Sequence, residues 1–108
     1  MEVFEAIAQP TRREILLLLA DGELSAGHIA SRFAITQPAI SQHLKVLKQS
    51  GLIGERREGT RRLYSIRAEG LLELHGFLDE LLPSGLARLK QAAEEEERTA
   101  HAGGGERN

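Results

Sequence analysis

A helix with one polar face, followed closely by a basic hairpin, is the feature that most constrains this chain. The helix is predicted over 37–49, with Thr36 as its N-cap and Gly51 as the residue that ends it. Three apolar residues recur at helical spacing and are expected to face inward: Ile40, Leu44 and Leu47. Four residues fall on the opposite face and are expected to face outward: Pro38, Ser41, Gln42 and Lys45.

The segment after this helix is strongly basic. Two strands are predicted, Leu52–Arg57 and Arg61–Ile66, joined by residues 58–60. Between residues 36 and 67, seven positive and two negative side chains give a charge of +5, so the rest of the chain carries −7. A helix fits the major groove of duplex DNA, and arginines beside it can neutralise phosphates. The local charge therefore predicts DNA binding despite the formal net charge of −2.

Length and composition favour one small domain. The 108 residues fit a single domain, assigned to 1–97, and the polar, glycine-rich composition of 98–108 predicts a disordered tail. The absence of cysteine excludes disulfides and thiolate metal sites. No apolar run approaches the roughly 18 residues that a membrane span needs. We therefore expect a cytoplasmic protein with no membrane partner.

The first half of the chain predicts supporting helices. Thr11 is expected to cap a helix in a capping box with Glu14, and the apolar run 15–20 is expected to be buried on most sides. Ser25 is predicted to cap the next helix, over 26–33. Two helices, a turn, a polar-faced helix and a basic hairpin make a winged helix-turn-helix.

The segments named so far resemble the ArsR/SmtB family of winged-helix repressors. The matching segments are 10–16, 23–30, 39–48 and 51–64, and the resemblance covers about residues 3 to 82. It implies a homodimer that binds an inverted-repeat operator, usually as a repressor, through an interface of terminal helices.

A leucine stripe in the second half fits such an interface. The residues expected at the dimer interface are Val3, Phe4, Ile7, Leu71, Leu74, Leu78, Leu81 and Leu82. Pro83 is expected to break or kink the helix that carries the stripe. The predicted fold class is mainly α: a winged helix-turn-helix with a two-stranded β-wing and terminal dimerisation helices.

The metal sites known in the family have no ligands here. The thiolate site would require cysteine within 24–27, and a second site would require ligands near Ala68, Gly70, Leu81 and Ser84. The resemblance is therefore to a branch without metal sites, and we expect neither a metal nor a cofactor. An alternative is a metal-responsive repressor that uses His75 and Asp79, which lie at the i, i+4 spacing of a ligand pair.

The DNA contacts are expected on the polar helix face and the hairpin. Ser41 and Gln42 are the predicted readers of base edges, because glutamine can bond bidentately to adenine. His43 lies between the two faces and either contacts the DNA backbone or is partly buried against a main-chain carbonyl. The full set of predicted DNA-binding residues is Thr36, Gln37, Ser41, Gln42, His43, Lys45, Arg56, Arg57, Arg61 and Arg62.

Other classes of function fit less well. The chain has no nucleophile motif and no glycine-rich phosphate loop after a strand, so we do not expect an enzyme. The alternative from another class is a winged-helix module that dimerises and binds a protein partner. The predicted partners are therefore double-stranded DNA and a second copy of the chain, with the effector, the operator and the sign of regulation left open.

Overall fold

A computed structural model describes residues 2–82 and 87–102 of the chain. The elements, in chain order, are α1 (Val3–Ile7), α2 (Pro10–Leu19), β1 (Leu24–Ser25), α3 (Ala26–Ala30), α4 (Gln37–Gln49), β2 (Ile53–Glu58), β3 (Arg61–Ile66), α5 (Ala68–Leu81) and α6 (Ala87–Ala102). The chain divides into two compact units, one ending at Leu74 and the other beginning at His75. The first unit contains the helix-turn-helix and the sheet.

Helix α4 begins and ends as the sequence predicts. The Thr36 hydroxyl accepts a hydrogen bond from the Ala39 N–H, and Pro38 lies in the first turn, where its missing N–H costs little. At the other end Gly51 takes φ 83°, and its N–H donates to the Lys48 carbonyl at 3.1 Å. The Leu52 N–H donates to the Leu47 carbonyl at 3.1 Å, which completes a Schellman motif.

The start of α2 differs from the prediction. The N-cap is Gln9, whose Oε1 accepts hydrogen bonds from the N–H groups of Thr11 at 2.6 Å and Arg12 at 3.2 Å. The predicted capping box of Thr11 and Glu14 is therefore wrong. Pro10 occupies the first turn, where its fixed φ favours helix, and this places the cap one residue before it.

Two further expectations about the supporting helices are wrong. The apolar run 15–20 is not buried on most sides, because only Ile15 and Leu19 are fully buried, Leu16 is partly buried against the core and Leu17 is 71% exposed. Helix α3 ends at Ala30 rather than residue 33, although Ser25 caps it as predicted by accepting from the His28 N–H.

The wing is an antiparallel hairpin that forms part of a three-stranded sheet. Strands β2 and β3 are joined by Gly59 and Thr60, and the turn requires the positive φ of 65° that Gly59 adopts. The short strand β1 pairs with the other edge of β3, so the strand order is β1-β3-β2. The sequence predicted the hairpin but not β1, which gives β3 a neighbour on both sides.

The core of the first unit lies beneath α4 and the base of the wing. Its largest fully buried side chains are Ile15, Leu19, Ile29, Ile40, Leu47, Leu52 and Ile53. The three residues predicted to face inward from α4 are all buried, and Val46 joins them. Leu63 and Tyr64 are neighbours on β3, and both are buried, so both faces of this strand are covered at that point.

Helix α5 begins in close contact with the end of α4. The Gly70 N–H donates to the Gly51 carbonyl at 3.1 Å, and the Arg67 N–H donates to the Leu52 carbonyl at 2.9 Å. Further along the chain, α6 includes residues 98–102 of the predicted tail, whereas 103–108 and the bend predicted at Pro83 lie outside the described residues. None of the helices in the described part of the chain has the length and hydrophobicity needed to cross a bilayer.

Gly70→Ala is expected to lower the free energy of unfolding by about 2 kcal/mol, because an added methyl group overpacks this contact. A Cβ at Gly70 would lie 2.8 Å from Leu52 Cδ2 and 2.9 Å from the Gly51 carbonyl oxygen. Gly27→Ala is the control, because a Cβ there meets open space and should change stability by less than about 1 kcal/mol. Urea unfolding followed by circular dichroism measures both, and equal midpoints would contradict the expected clash.

Candidate nucleic-acid interface

The polar face of α4 is exposed as predicted. Gln37, Ser41, Gln42 and Lys45 all have exposed side chains, and Thr36 is exposed at the N-cap. From Pro38 onward, this face borders a groove whose other wall is the wing, including Glu55, Arg62 and Tyr64. A polar helix face and a basic strand pair therefore share one concave surface.

The register of the wing separates its four arginines into two pairs. Arg57 lies directly opposite Arg62, and Glu55 lies opposite Tyr64, so all four side chains share one face of the hairpin. Because Glu55 contacts Lys48 of α4, this is the face that adjoins the helix. Arg56 and Arg61 belong to the alternate positions and lie on the other face.

The arginines on the face of the hairpin away from α4 (the far face) have carboxylate partners. Arg56 makes a bidentate pair with Glu23, through Nε and one terminal nitrogen, both at 2.8 Å. This hydrogen bond is the main reason that the pKa of Glu23 is lowered and that of Arg56 is raised. Glu58 lies 3.8 Å from Arg56 and 4.0 Å from Arg61. The charge of this face is therefore largely balanced within the protein.

The two arginines on the face that adjoins α4 (the near face) have less of their charge neutralised by carboxylates. Arg62 lies 3.9 Å from Glu55, and Arg57 has no salt bridge within residues 2–82 and 87–102. Like charges directly opposite each other on a sheet are destabilising. An anion bound between Arg57 and Arg62 would relieve this repulsion, and a DNA phosphate is such an anion.

Glu55 was missed as a functional candidate. Its Oε1 accepts a hydrogen bond from the Lys48 ammonium group at 2.7 Å, and this bond is the main reason that its own pKa is lowered and that of Lys48 is raised. The pair joins the last turns of α4 to strand β2. No local pattern in the sequence indicates it, because the partners lie seven positions apart in different elements.

His43 lies partly buried at the junction of α1, α2 and α4. Its Nδ1 lies 3.3 Å from a terminal nitrogen of Arg12, whose Nε donates to the Ala6 carbonyl at 2.7 Å. Arginine is only a donor, so Nδ1 must accept, which requires a neutral imidazole. The partial burial of His43 agrees with one of its two alternatives. Its partner, however, is the Arg12 guanidinium rather than a main-chain carbonyl.

The free energy of unfolding is expected to fall as the pH drops because of His43. Burial, followed by the charge of Arg12, lowers the pKa of His43 below 6.5. The unfolded chain then binds this proton more readily, so stability decreases as the pH falls through 6.5 and levels off below the folded-state pKa. Urea unfolding between about pH 8 and about pH 5.5 tests this, with His43→Gln expected to show a flatter profile than the wild type. His28→Gln, a change at an exposed histidine, should leave the profile unaltered; matching profiles for all three proteins would contradict the expectation.

The His75–Asp79 pair forms, but without a third ligand nearby. His75 Nδ1 lies 3.2 Å from Asp79 Oδ2, and both side chains are exposed. Within residues 2–82 and 87–102, no cluster of three or more His, Cys, Asp or Glu side chains could hold a metal ion. The pair therefore offers two ligands from one chain.

The predicted dimer residues fall into two groups. Val3 is buried in the core of its own chain, and Ile7 and Leu74 are partly buried against that core. The other five have exposed side chains: Phe4, Leu71, Leu78, Leu81 and Leu82.

An exposed polar helix beside a basic wing defines a DNA-binding protein of the winged helix-turn-helix class. Comparison with known proteins identifies the family within this class. Residues 9–54 match the model of the arsR family of bacterial regulatory proteins. The transcriptional repressor SdpR of Bacillus subtilis is 50% identical over 83 residues, which are 77% of this chain and 92% of that protein.

Solved structures agree with the sequence comparisons. A crystal structure described as a "possible transcriptional regulator for arsenical resistance" is 36% identical, with a TM-score of 0.75 over 85% of this chain and 96% of that one. The homodimeric winged helix-turn-helix DNA-binding domain of a Mycobacterium bovis protein is 37% identical, with a TM-score of 0.61 over 73% of each chain. The chain belongs to the ArsR family of transcriptional regulators. This family consists of regulators, which supports the expectation that the chain is not an enzyme.

Proposed function

We propose that the chain is a cytoplasmic homodimeric repressor that binds an inverted-repeat operator and acts without a metal. The observation that carries the proposal is the shared surface of α4 and the wing. Ser41 and Gln42 face outward on α4 and read base edges, while Lys45, Arg57 and Arg62 bind the flanking phosphates. The bound dimer excludes polymerase from an overlapping promoter.

The homodimer is supported by the apolar surface of α5. Leu71, Leu72, Phe77, Leu78 and Leu81 on α5, and Leu82 directly after it, all have exposed side chains. So many large apolar residues on one short helix are typical of an interface rather than of a free surface. A symmetric contact between two copies places their two α4 helices, which are the proposed reading helices, about 34 Å apart. This distance is one turn of DNA.

The test is fluorescence anisotropy with a duplex from the region upstream of the protein's own gene and a scrambled duplex of the same composition. Binding is titrated at several salt concentrations. A preference of about 10³ or more for the native duplex supports sequence-specific binding. Equal weak affinity for both duplexes would favour the protein-binding module, in which charge reversal at Arg61 and Arg62 leaves function intact.

The metal-responsive alternative is favoured by one observation, the 3.2 Å contact of His75 with Asp79. In a dimer, two such pairs would supply four ligands if they faced each other. The same titration with excess Zn²⁺ and with a chelator separates the two proposals. An unchanged midpoint supports action without a metal, and a shift that His75→Gln abolishes supports the alternative.

A further inference from the structure

One carboxylate lies within the surface proposed to face DNA. The Glu55 side chain is only 18% exposed, at the junction between α4 and the wing. Its Oε1 accepts from the Lys48 ammonium group at 2.7 Å, and its Oε2 lies 3.9 Å from Arg62 Nε. Glu55 therefore contacts one cation from the helix and one from the hairpin.

A carboxylate at position 55 is unfavourable for the affinity of this surface for DNA. The Glu55 carboxylate, whose pKa is lowered mainly by the hydrogen bond from Lys48, is charged at neutral pH and repels phosphates. It also occupies Lys48, a cation that could otherwise displace counterions from DNA, and its charge weakens the attraction of the nearby Arg62 for phosphate. A neutral residue at this position would give the protein a more attractive surface for any polyanion.

What the carboxylate supplies instead is a fixed relation between two DNA-binding elements. Helix α4 carries the residues proposed to read bases, whereas the wing carries the residues proposed to bind phosphates. Phosphate contacts set the position of a protein on the duplex, and base contacts depend on that position. The Lys48–Glu55–Arg62 cluster joins the two elements within the groove.

We infer that Glu55 is a positioning residue that sets operator specificity by fixing the wing against α4 and by keeping Lys48 from binding phosphates indiscriminately. The inference rests on the proposed DNA-binding function. It predicts that loss of the Glu55 charge strengthens binding to unrelated DNA while it weakens discrimination.

Glu58 provides a matched control. It lies on the same strand and carries the same charge, but it pairs with Arg56 and Arg61 on the far face of the wing. Glu58→Gln therefore makes the same change in net charge without breaking the link to α4. A purely electrostatic effect would appear in both variants.

The experiment measures anisotropy of Glu55→Gln, Glu58→Gln and the wild-type protein with the native and scrambled duplexes over a salt series. For Glu55→Gln we expect scrambled-duplex affinity to rise about 3- to 10-fold, and the salt slope to steepen by about 2 as Lys48 is released in each protomer of the dimer. The ratio of native to scrambled affinity should fall about tenfold. Glu58→Gln should leave that ratio unchanged, and thermal unfolding confirms that both variants are folded.

A second variant should change DNA affinity in the direction opposite to Glu55→Gln. Lys48→Gln also breaks the link, so it should reduce the same ratio, but it should weaken binding to both duplexes because Glu55 is left uncompensated. Equal ratios for Glu55→Gln, Glu58→Gln and the wild type would overturn the inference while leaving the proposed function standing. A wild-type protein that does not distinguish the two duplexes would overturn the proposed function and this inference with it.

Discussion

Replacing Arg57 and Arg62 together with alanine is expected to weaken binding to every duplex by about 10⁴-fold or more, because the two protomers of the dimer lose four phosphate contacts. Each arginine is proposed to make a charged hydrogen bond to phosphate, which contributes about 1.5–3 kcal/mol, and 1.4 kcal/mol is a tenfold change. The salt slope should fall by about 4, since each protomer of the dimer loses two phosphate contacts. The preference for the native duplex should change little, because phosphate contacts carry no base information. Anisotropy titrations over a salt series measure all three quantities.

The matched control removes Arg56 and Arg61 instead. The net charge changes equally, but these side chains lie on the other face of the wing, where Glu23 and Glu58 already compensate them. We expect less than a tenfold loss of affinity, because exposed ion pairs contribute little and few phosphate contacts are removed. If both double variants lost affinity equally, the division of the wing into two faces would have no functional meaning.

Leu78→Glu is expected to convert the dimer to a monomer and to reduce operator affinity by about 10³-fold. A carboxylate buried against its own symmetry mate is strongly unfavourable, since neither charge has a partner. A monomer also loses the gain from two linked reading helices, which commonly amounts to 10²–10⁴. Sedimentation velocity gives the oligomeric state, and anisotropy gives the affinity.

Glu73→Ala is the control on the same helix, at an exposed position outside the leucine stripe. It should leave both measurements unchanged. Should Leu78→Glu remain dimeric and bind normally, the proposed interface on α5 would be wrong, even if the protein is a dimer through another surface.

The parts of the site that the sequence predicts are those set by local signals. Thr36, Pro38 and Gly51 fix the bounds of α4 through capping chemistry that acts within a few residues, and the structure confirms all three. The turn at Gly59 likewise fixes the hairpin, because few residues other than glycine accept its positive φ. At the start of α2, local chemistry pointed to Thr11, whereas the N-cap is Gln9.

The missed features are contacts between elements. The Arg12–His43 contact joins residues 31 positions apart, and the Arg56–Glu23 pair joins residues 33 positions apart. No periodicity within one element encodes such pairs, because they depend on how the elements pack. The same limit explains why the sequence pattern groups the four wing arginines together, whereas the strand pairing places two on each face.

The hydrogen bond from Arg67 to Leu52 has a consequence for how this surface can be altered. It closes the base of the hairpin, so residues 52 and 67 stay together whatever lies between them. The wing can therefore be lengthened by equal insertions in both strands near Gly59 and Thr60, at about 3.4 Å of added reach per residue. The reading helix and the start of α5 would keep their places during such a change. Length of the wing and placement of the helix are thus separately adjustable variables in this fold.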